Sequence, residues 1–115
     1  MRALLFASTL SLMAAPALAG TIAPNEAQKH VGETVTVEGA VSEVHHTASG
    51  RAIFIDMGGR YPDNAFAAVI FRDEFGKFPR LDALEGKTVD VTGPIKLYRG
   101  KAEIILNDPG QLKVK

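Results

Sequence analysis

Two similar segments of the chain each alternate apolar and polar residues between a pair of glycines. The first runs from Gly32 to Gly39 and the second from Gly86 to Gly93, and they match at both glycines, one threonine and two valines. Alternation with a period of two is typical of a β-strand with one buried face, and a glycine within a strand permits a sharp bend. A single recurrence is too short for a solenoid. We therefore predict two long strands that bend at glycines, as the corners of a small closed barrel require.

Three more segments have the composition of strands, which brings the predicted total to five. They cover residues 51–57, 65–71 and 101–106, whereas the two glycine-bounded strands begin at Thr34 and Thr88. The apolar positions of these strands should meet in one core. This predicted core contains Val35, Val37, Val89, Val91, Ile104 and Leu106.

One break in the alternation predicts a β-bulge. After Val41 the next apolar residue is Val44, an odd step that a regular strand does not allow. An extra residue near Ser42 and Glu43 would restore the pattern.

Two short segments have helical rather than strand spacing. Between the third and fourth strands, apolar residues recur every three positions and are interrupted by Pro79; they are Phe75, Phe78, Leu81 and Leu84. One or two helical turns are also expected from Pro24 to His30.

The first 19 residues have the pattern of a secretory signal peptide. Arg2 precedes an apolar run, and the small residues Ala17 and Ala19 provide a signal-peptidase site. Cleavage after Ala19 would leave a domain of residues 20–115, periplasmic or secreted, without a membrane segment. An uncleaved membrane anchor is the alternative. Because the chain has no cysteine, its stability must come from a packed core.

Neither the net charge nor any catalytic motif indicates a specific function. The 13 basic and 13 acidic residues of the 115-residue chain cancel, so no excess of positive charge points to nucleic acid. Catalytic signatures and cofactor fingerprints are missing from the sequence, which predicts a protein that is not an enzyme and binds no cofactor. His45 and His46 are neighbours on a strand and point to opposite faces, so we expect no metal site.

The second half of the chain carries a resemblance to a known family. Residues 84–93, 98–104 and 107–112 resemble the closing half of OB-fold nucleic-acid-binding domains of the tRNA-anticodon type, and residues 32–39 and 49–59 fit the front half. The chain is similar in particular to small exported bacterial OB-fold proteins. This resemblance implies an all-β fold, a five-stranded OB-fold barrel with a short helical segment between strands 3 and 4.

In such a barrel, ligands bind over the second and third strands and the adjoining loops. Phe54 is the best candidate for stacking if Ile53 and Ile55 point inward; the opposite orientation stays open. The other candidates are basic and aromatic side chains near these strands and in the last hairpin. They are Arg51, Arg60, Tyr61, Arg72, Tyr98, Arg99 and Lys101.

Three functions remain compatible with the sequence. The first is a non-catalytic module that binds single-stranded nucleic acid or oligonucleotides, which the resemblance favours. The second is a module for another envelope protein or for envelope stress, which export favours. The third is a binder of a small ligand or an oligosaccharide. A continuous positive strip from Arg51 through Arg60 to Arg72 would favour nucleic acid, and a mixed or acidic face would favour a protein partner.

Overall fold

The computed structural model describes residues 20–115, so the predicted signal peptide lies outside the described residues. The domain contains eight strands: β1 (Thr21–Ile22), β2 (Thr34–His46), β3 (Ala52–Met57), β4 (Phe66–Phe71), β5 (Thr88–Pro94), β6 (Lys96–Tyr98), β7 (Lys101–Ile105) and β8 (Leu112–Val114). Short 3-10 helices lie between them at Pro24–His30, Arg72–Lys77, Leu81–Leu84 and Pro109–Gln111. None of the helices in residues 20–115 has the length and apolar character needed to span a membrane.

The strands form one sheet in the order β6-β7-β4-β3-β2-β5-β8, with β1 paired to β2. The pairs β1–β2 and β4–β7 are parallel and the other pairs are antiparallel. The five predicted strands are all present, but β1 and β8 were not predicted. The mostly-β class is confirmed, whereas the closed five-stranded barrel is not, because the sheet remains open.

The predicted fourth strand is divided into two strands, which pair near opposite ends of the open sheet. Its first part, β5, pairs with β2, and its second part, β6, pairs with β7. Ile95 separates them and is buried in the core. The N–H of Ile95 donates to the Glu33 carbonyl, and its own carbonyl accepts from the Gly32 N–H. At this residue, the chain therefore bonds to the loop before β2 and not to a neighbouring strand.

The two similar segments are neighbours in the sheet. Val37 of β2 lies opposite Val91 of β5, Val35 lies opposite Gly93, and Gly39 lies opposite Val89. Each glycine thus faces a valine of the other segment. The recurrence in the sequence corresponds to one self-complementary antiparallel pair.

The predicted bulge is confirmed, and it determines which side chains reach the outer surface. The register of β2 against β3 shifts between Val41 and Glu43. Val41 and Val44 are both buried on the core side of the bulge. As a result, Glu43 and His45 lie on the opposite face of the sheet, next to β3.

All six predicted core residues are fully buried. The helical segment between β4 and β5 is confirmed as two 3-10 helices. Phe78, just after the first helix, and Leu81 and Leu84 of the second join the core. Gly39 has a packing role besides the bend: a Cβ atom there would lie 2.7 Å from Cγ of Pro24. The segment at Pro24–His30 can therefore pack closely against β2 only because residue 39 is glycine.

A candidate ligand-binding groove on the outer face of the sheet

Cross-strand pairing places two carboxyl groups on either side of an alanine. Asp56 of β3 pairs with Ala67 of β4, which pairs with Glu103 of β7. Directly paired residues point to the same face of a sheet. Because Ala67 has only a methyl group, space remains above it, and a cavity of about 350 Å³ lies there.

A second cavity of about 220 Å³ adjoins the first. Both are lined by Thr47, Phe54, Tyr98 and Glu103. We call the two cavities together the outer groove.

Aromatic rings form the walls of the outer groove. His45 stacks on Phe54 with ring centroids 5.9 Å apart and on Tyr61 at 4.8 Å. Tyr98, which is 52% exposed, also lines both cavities, and the Arg99 guanidinium lies 5.2 Å from the centre of its ring. Ile53 and Ile55 are in the core, so Phe54 points outward, the first of the two orientations considered above. The walls therefore offer several flat apolar surfaces to a ligand.

The floor of the outer groove is polar and buried. Asn64, in the loop before β4, donates from Nδ2 to Asp56 Oδ1 and to the Phe66 carbonyl, at 3.1 Å each. Asp56 Oδ2 and Asn64 Oδ1 are buried and have no hydrogen-bond partner within residues 20–115. The free oxygen of Asn64 is an acceptor, and the free oxygen of Asp56 is an acceptor when the carboxyl is ionised.

Burial raises the pKa of both floor carboxyls. For Asp56 the pKa rises from 3.8 to about 7, mainly through desolvation, with a contribution from the negative charge of Glu43. The positive charges of Lys101 and Arg60 oppose this rise. Desolvation also raises the pKa of Glu103 above its usual 4.5.

The basic candidates are divided between the groove and other contacts. Arg51 and Arg99 line the outer groove, and neither guanidinium has an ion pair or hydrogen bond within the described part of the chain. Lys101 also lines it, but its Nζ donates to the carbonyls of Pro62 at 2.9 Å and Asn64 at 2.7 Å.

Arg60 and Arg72 line neither cavity. Arg60 lies 3.7 Å from a carboxylate oxygen of Glu43. Arg72 donates to the carbonyls of Gly50 and Ser49 in the β2–β3 turn. The structure thus brings together six of the eight predicted residues. The carboxyl groups of Glu43, Asp56 and Glu103 lie among the basic side chains on this side of the sheet. The face has mixed charge.

The three histidines do not meet. His46 contacts Asp82 at 2.8 Å, His30 contacts Glu33 at 2.9 Å, and His45 lies in the groove wall. Within residues 20–115, no group of three metal-ligating side chains is present.

The polar floor and the position of His45 in the groove wall do not follow from the sequence patterns described above. Asp56, Asn64 and Glu103 are not among the predicted site residues. A signal was available, since Asp56 is the single charged residue of β3 and Glu103 lies between apolar residues of β7. A charge in such a position is rarely buried unless it has a partner or a function.

The fold is shared with solved structures at low sequence identity. One, described as an aspartyl-tRNA synthetase from Leishmania major Friedlin, is 16% identical over 82% of this chain, with a TM-score of 0.53. The asparaginyl-tRNA synthetase from Pyrococcus horikoshii is 20% identical over 81% of the chain, also with a TM-score of 0.53. This chain spans only 20% and 22% of those proteins.

A third match is an OBody, AM1L10, bound to hen egg-white lysozyme. It is 18% identical, the match covers 76% of this chain and 83% of the OBody, and the TM-score is 0.53. No family model and no curated protein matches the chain. The likeness to tRNA synthetases agrees with the OB-type fold that the sequence resemblance implies.

Proposed function

We propose that the domain is a non-catalytic OB-type module that binds single-stranded nucleic acid, with bases in the outer groove. The observation that carries this proposal is the set of aromatic rings around that groove: Phe54, Tyr61 and Tyr98 with His45. Proteins that bind single strands stack successive bases on such rings. The groove also lies on the sheet face that OB-folds use for oligonucleotides.

The charges of the groove limit the strength of this binding. Arg51 and Arg99 are available for phosphates, one in each of the two adjoining cavities. The acidic floor opposes any attraction from the phosphate backbone. Most of the affinity should therefore come from stacking, and the salt dependence should be weak.

The fold matches support the same proposal. Two of them are aminoacyl-tRNA synthetases, whose names state that they act on tRNA. A fold can host unrelated functions, so the groove and not the likeness carries the proposal.

The test is a binding titration with fluorescently labelled eight-nucleotide single strands of DNA and RNA, at 50 and 200 mM salt. We expect micromolar binding that weakens modestly at the higher salt. The Phe54→Ala variant should bind more weakly and remain folded. If the folded wild-type domain binds none of these strands at either salt concentration, the proposal is wrong.

A second candidate is a protein partner that binds the same face. The mixed charge of the outer groove favours it, because strips of one sign are typical of nucleic-acid sites. The OBody match provides a further reason, since that protein binds lysozyme. A partner recovered by crosslinking from Tyr61 or Tyr98, together with no binding of oligonucleotides, would favour this candidate.

We further propose that the protein is exported. The support is the pattern of residues 1–19 described above. In that case, the ligand would be met outside the cytoplasm, which favours a partner protein over nucleic acid.

A further inference from the structure

The floor of the outer groove contains hydrogen-bond acceptors that lack donors. Asp56 is 1% exposed, Asn64 3% and Glu103 8%, and all three line the larger cavity. The amide nitrogen of Asn64 is already used by Asp56 and Phe66, so only its oxygen remains. Asp56 Oδ2 and Asn64 Oδ1 have no partner in residues 20–115.

Buried acceptors without donors are unfavourable, and a desolvated carboxylate is especially so. A ligand that supplies two adjacent N–H groups would remove this penalty. The aromatic walls require the same ligand to be flat. The groove is therefore suited to a planar group that is rich in donors.

Among the nucleobases, guanine has this arrangement on its Watson–Crick edge. Its N1–H and N2 amino group are neighbouring donors, and a carboxylate can accept from both at once. Adenine and cytosine each place one amino donor beside an acceptor nitrogen. Uracil and thymine place one N–H between two carbonyl oxygens. These other bases would leave an acceptor facing the floor.

We propose that the outer groove selects guanine, with the Asp56 carboxylate accepting from N1–H and N2–H₂, one at the free Oδ2 and the other at the second lone pair of Oδ1, while the base stacks between Phe54 and the tyrosines. This inference rests on the proposed function and adds the identity of the base. Glu103, on the other side of Ala67, offers a second acceptor to the same ligand.

The cations near the groove argue against a positively charged ligand. A guanidinium group is also flat and rich in donors. However, Arg51 and Arg99 already line the two cavities, and they would repel a second cation. Lys101 also contributes positive charge, although its Nζ is held by two carbonyls. A neutral base meets the same acceptors without this repulsion.

The protonation of Asp56 gives the selection a dependence on pH. Only the ionised carboxylate accepts from both guanine donors, so guanine binding favours ionisation and should strengthen as the pH rises. The acid form presents an O–H instead, which suits cytosine or adenine. The ionisable groups around this carboxyl are Glu43, His45, Arg60, Lys101 and Glu103.

The experiment compares five strands of the form UUXUU, in which X is guanosine, inosine, adenosine, cytidine or uridine. Inosine keeps N1–H and lacks the N2 amino group. We expect at least about tenfold tighter binding of the guanosine strand than of the adenosine, cytidine and uridine strands at pH 8. Inosine should lie between them.

Asp56→Asn tests the residue, and Asp63→Asn, an exposed acid in the neighbouring loop, is the matched control. Asp56→Asn should remove the preference for guanosine and keep the stacking affinity, whereas Asp63→Asn should keep both. If Asp56→Asn does not fold, Glu103→Gln and the five-strand comparison with the wild type still decide the question.

The outcomes separate this inference from the proposed function. Equal binding of all five strands would overturn the selection of guanine and leave single-strand binding intact. Binding of none of them would overturn both. Binding of an arginine-containing peptide in place of every strand would also overturn both, in favour of a protein partner.

Discussion

Asn64 donates a 3.1 Å hydrogen bond from Nδ2 to Asp56 Oδ1, and both side chains are buried on the outer face of the sheet. The bond ties the loop before β4 to the end of β3. It also holds the carboxyl so that one oxygen is used and the other remains free. The groove floor is therefore fixed before any ligand binds, which reduces the entropy lost on binding.

The raised pKa of Asp56 predicts that the domain loses stability as the pH rises. The pKa is about 7 in the folded state and 3.8 ordinarily, so folding favours the protonated form. The contribution of Asp56 is fully present below about pH 4 and is lost as the pH rises through 7. The full loss is about 4 kcal/mol, from about 1.4 kcal/mol per pKa unit.

Thermal melts of the wild type and Asp56→Asn from pH 4 to pH 8 check this prediction. The wild-type melting temperature should fall with pH more steeply than that of the variant. In the variant, the melting temperature should still fall slightly with pH, because the pKa of Glu103 is also raised. Parallel curves for the two proteins would show that Asp56 is not desolvated as described.

Phe54 and Ile55 are neighbours on β3, and their replacement by alanine should affect binding in one case and stability in the other. Phe54 points into the outer groove, and Ile55 is fully buried in the core. Phe54→Ala should weaken single-strand binding by about 1–3 kcal/mol with little effect on melting. Ile55→Ala should reduce the free energy of unfolding by about 2–5 kcal/mol. A large loss of stability in Phe54→Ala would contradict its assignment as a binding residue.

Arg99 allows a test of the phosphate contacts without disturbing the fold. It occupies the β6–β7 turn with a φ of 53°, a conformation that asparagine adopts more readily than most residues. With Arg51 and Arg99 as the contacts, the logarithm of affinity should fall against the logarithm of salt with a slope of roughly −1.4. Arg99→Asn should halve this slope and preserve the melting temperature.

The matched control for Arg99→Asn is Lys87→Asn, at an exposed position away from the outer groove. It removes the same charge and should leave the slope unchanged. Arg60→Ala and Arg72→Ala should also have little effect on the slope, because these guanidinium groups are held by Glu43 and by the β2–β3 turn. An equal effect of all these substitutions would indicate binding through net charge alone.

The five main strands could be predicted from the sequence because the alternation of apolar and polar residues is a local property. The bulge at Val41 to Glu43 follows from the spacing of apolar residues, whereas the inward position of Ile55 is one of two orientations that the spacing allows. The division at Ile95 could not be predicted, since it depends on hydrogen bonds to residues more than 60 positions away. The same holds for β1 and β8, whose short segments form strands only through their partners.

The aromatic and basic parts of the groove were predictable, whereas its acidic floor was not. Phe54 and Tyr98 are recognisable as residue types that stack. The carboxyl pair of Asp56 and Glu103 depends on the register of three strands and on the small side chain of Ala67 between them. That register joins β4 to β7 in parallel, a long-range pairing that no local pattern in either strand specifies.

Residues 1–19 lead to a prediction about the start of the protein. If they are a signal peptide, the protein recovered from the cell envelope should begin at Gly20. N-terminal sequencing or intact mass measurement checks this. An Ala19→Arg substitution should block cleavage, whereas Lys29→Arg, in the folded domain, should not. A recovered protein that begins at Met1 would show that the segment is retained.

Gly39→Ala tests the packing of the Pro24–His30 segment against β2, and Gly76→Ala is its matched control. A Cβ at position 39 would lie 2.7 Å from Cγ of Pro24, whose ring cannot move away without displacing the Pro24–His30 segment. A Cβ at position 76 would have no neighbour within 4 Å. Gly39→Ala should therefore reduce the free energy of unfolding by about 1–3 kcal/mol. Gly76→Ala should be neutral or stabilise by up to about 1 kcal/mol, because alanine restricts the unfolded chain. Urea denaturation of both variants measures the difference, and equal stabilities would mean that Pro24 does not pack on Gly39 in solution.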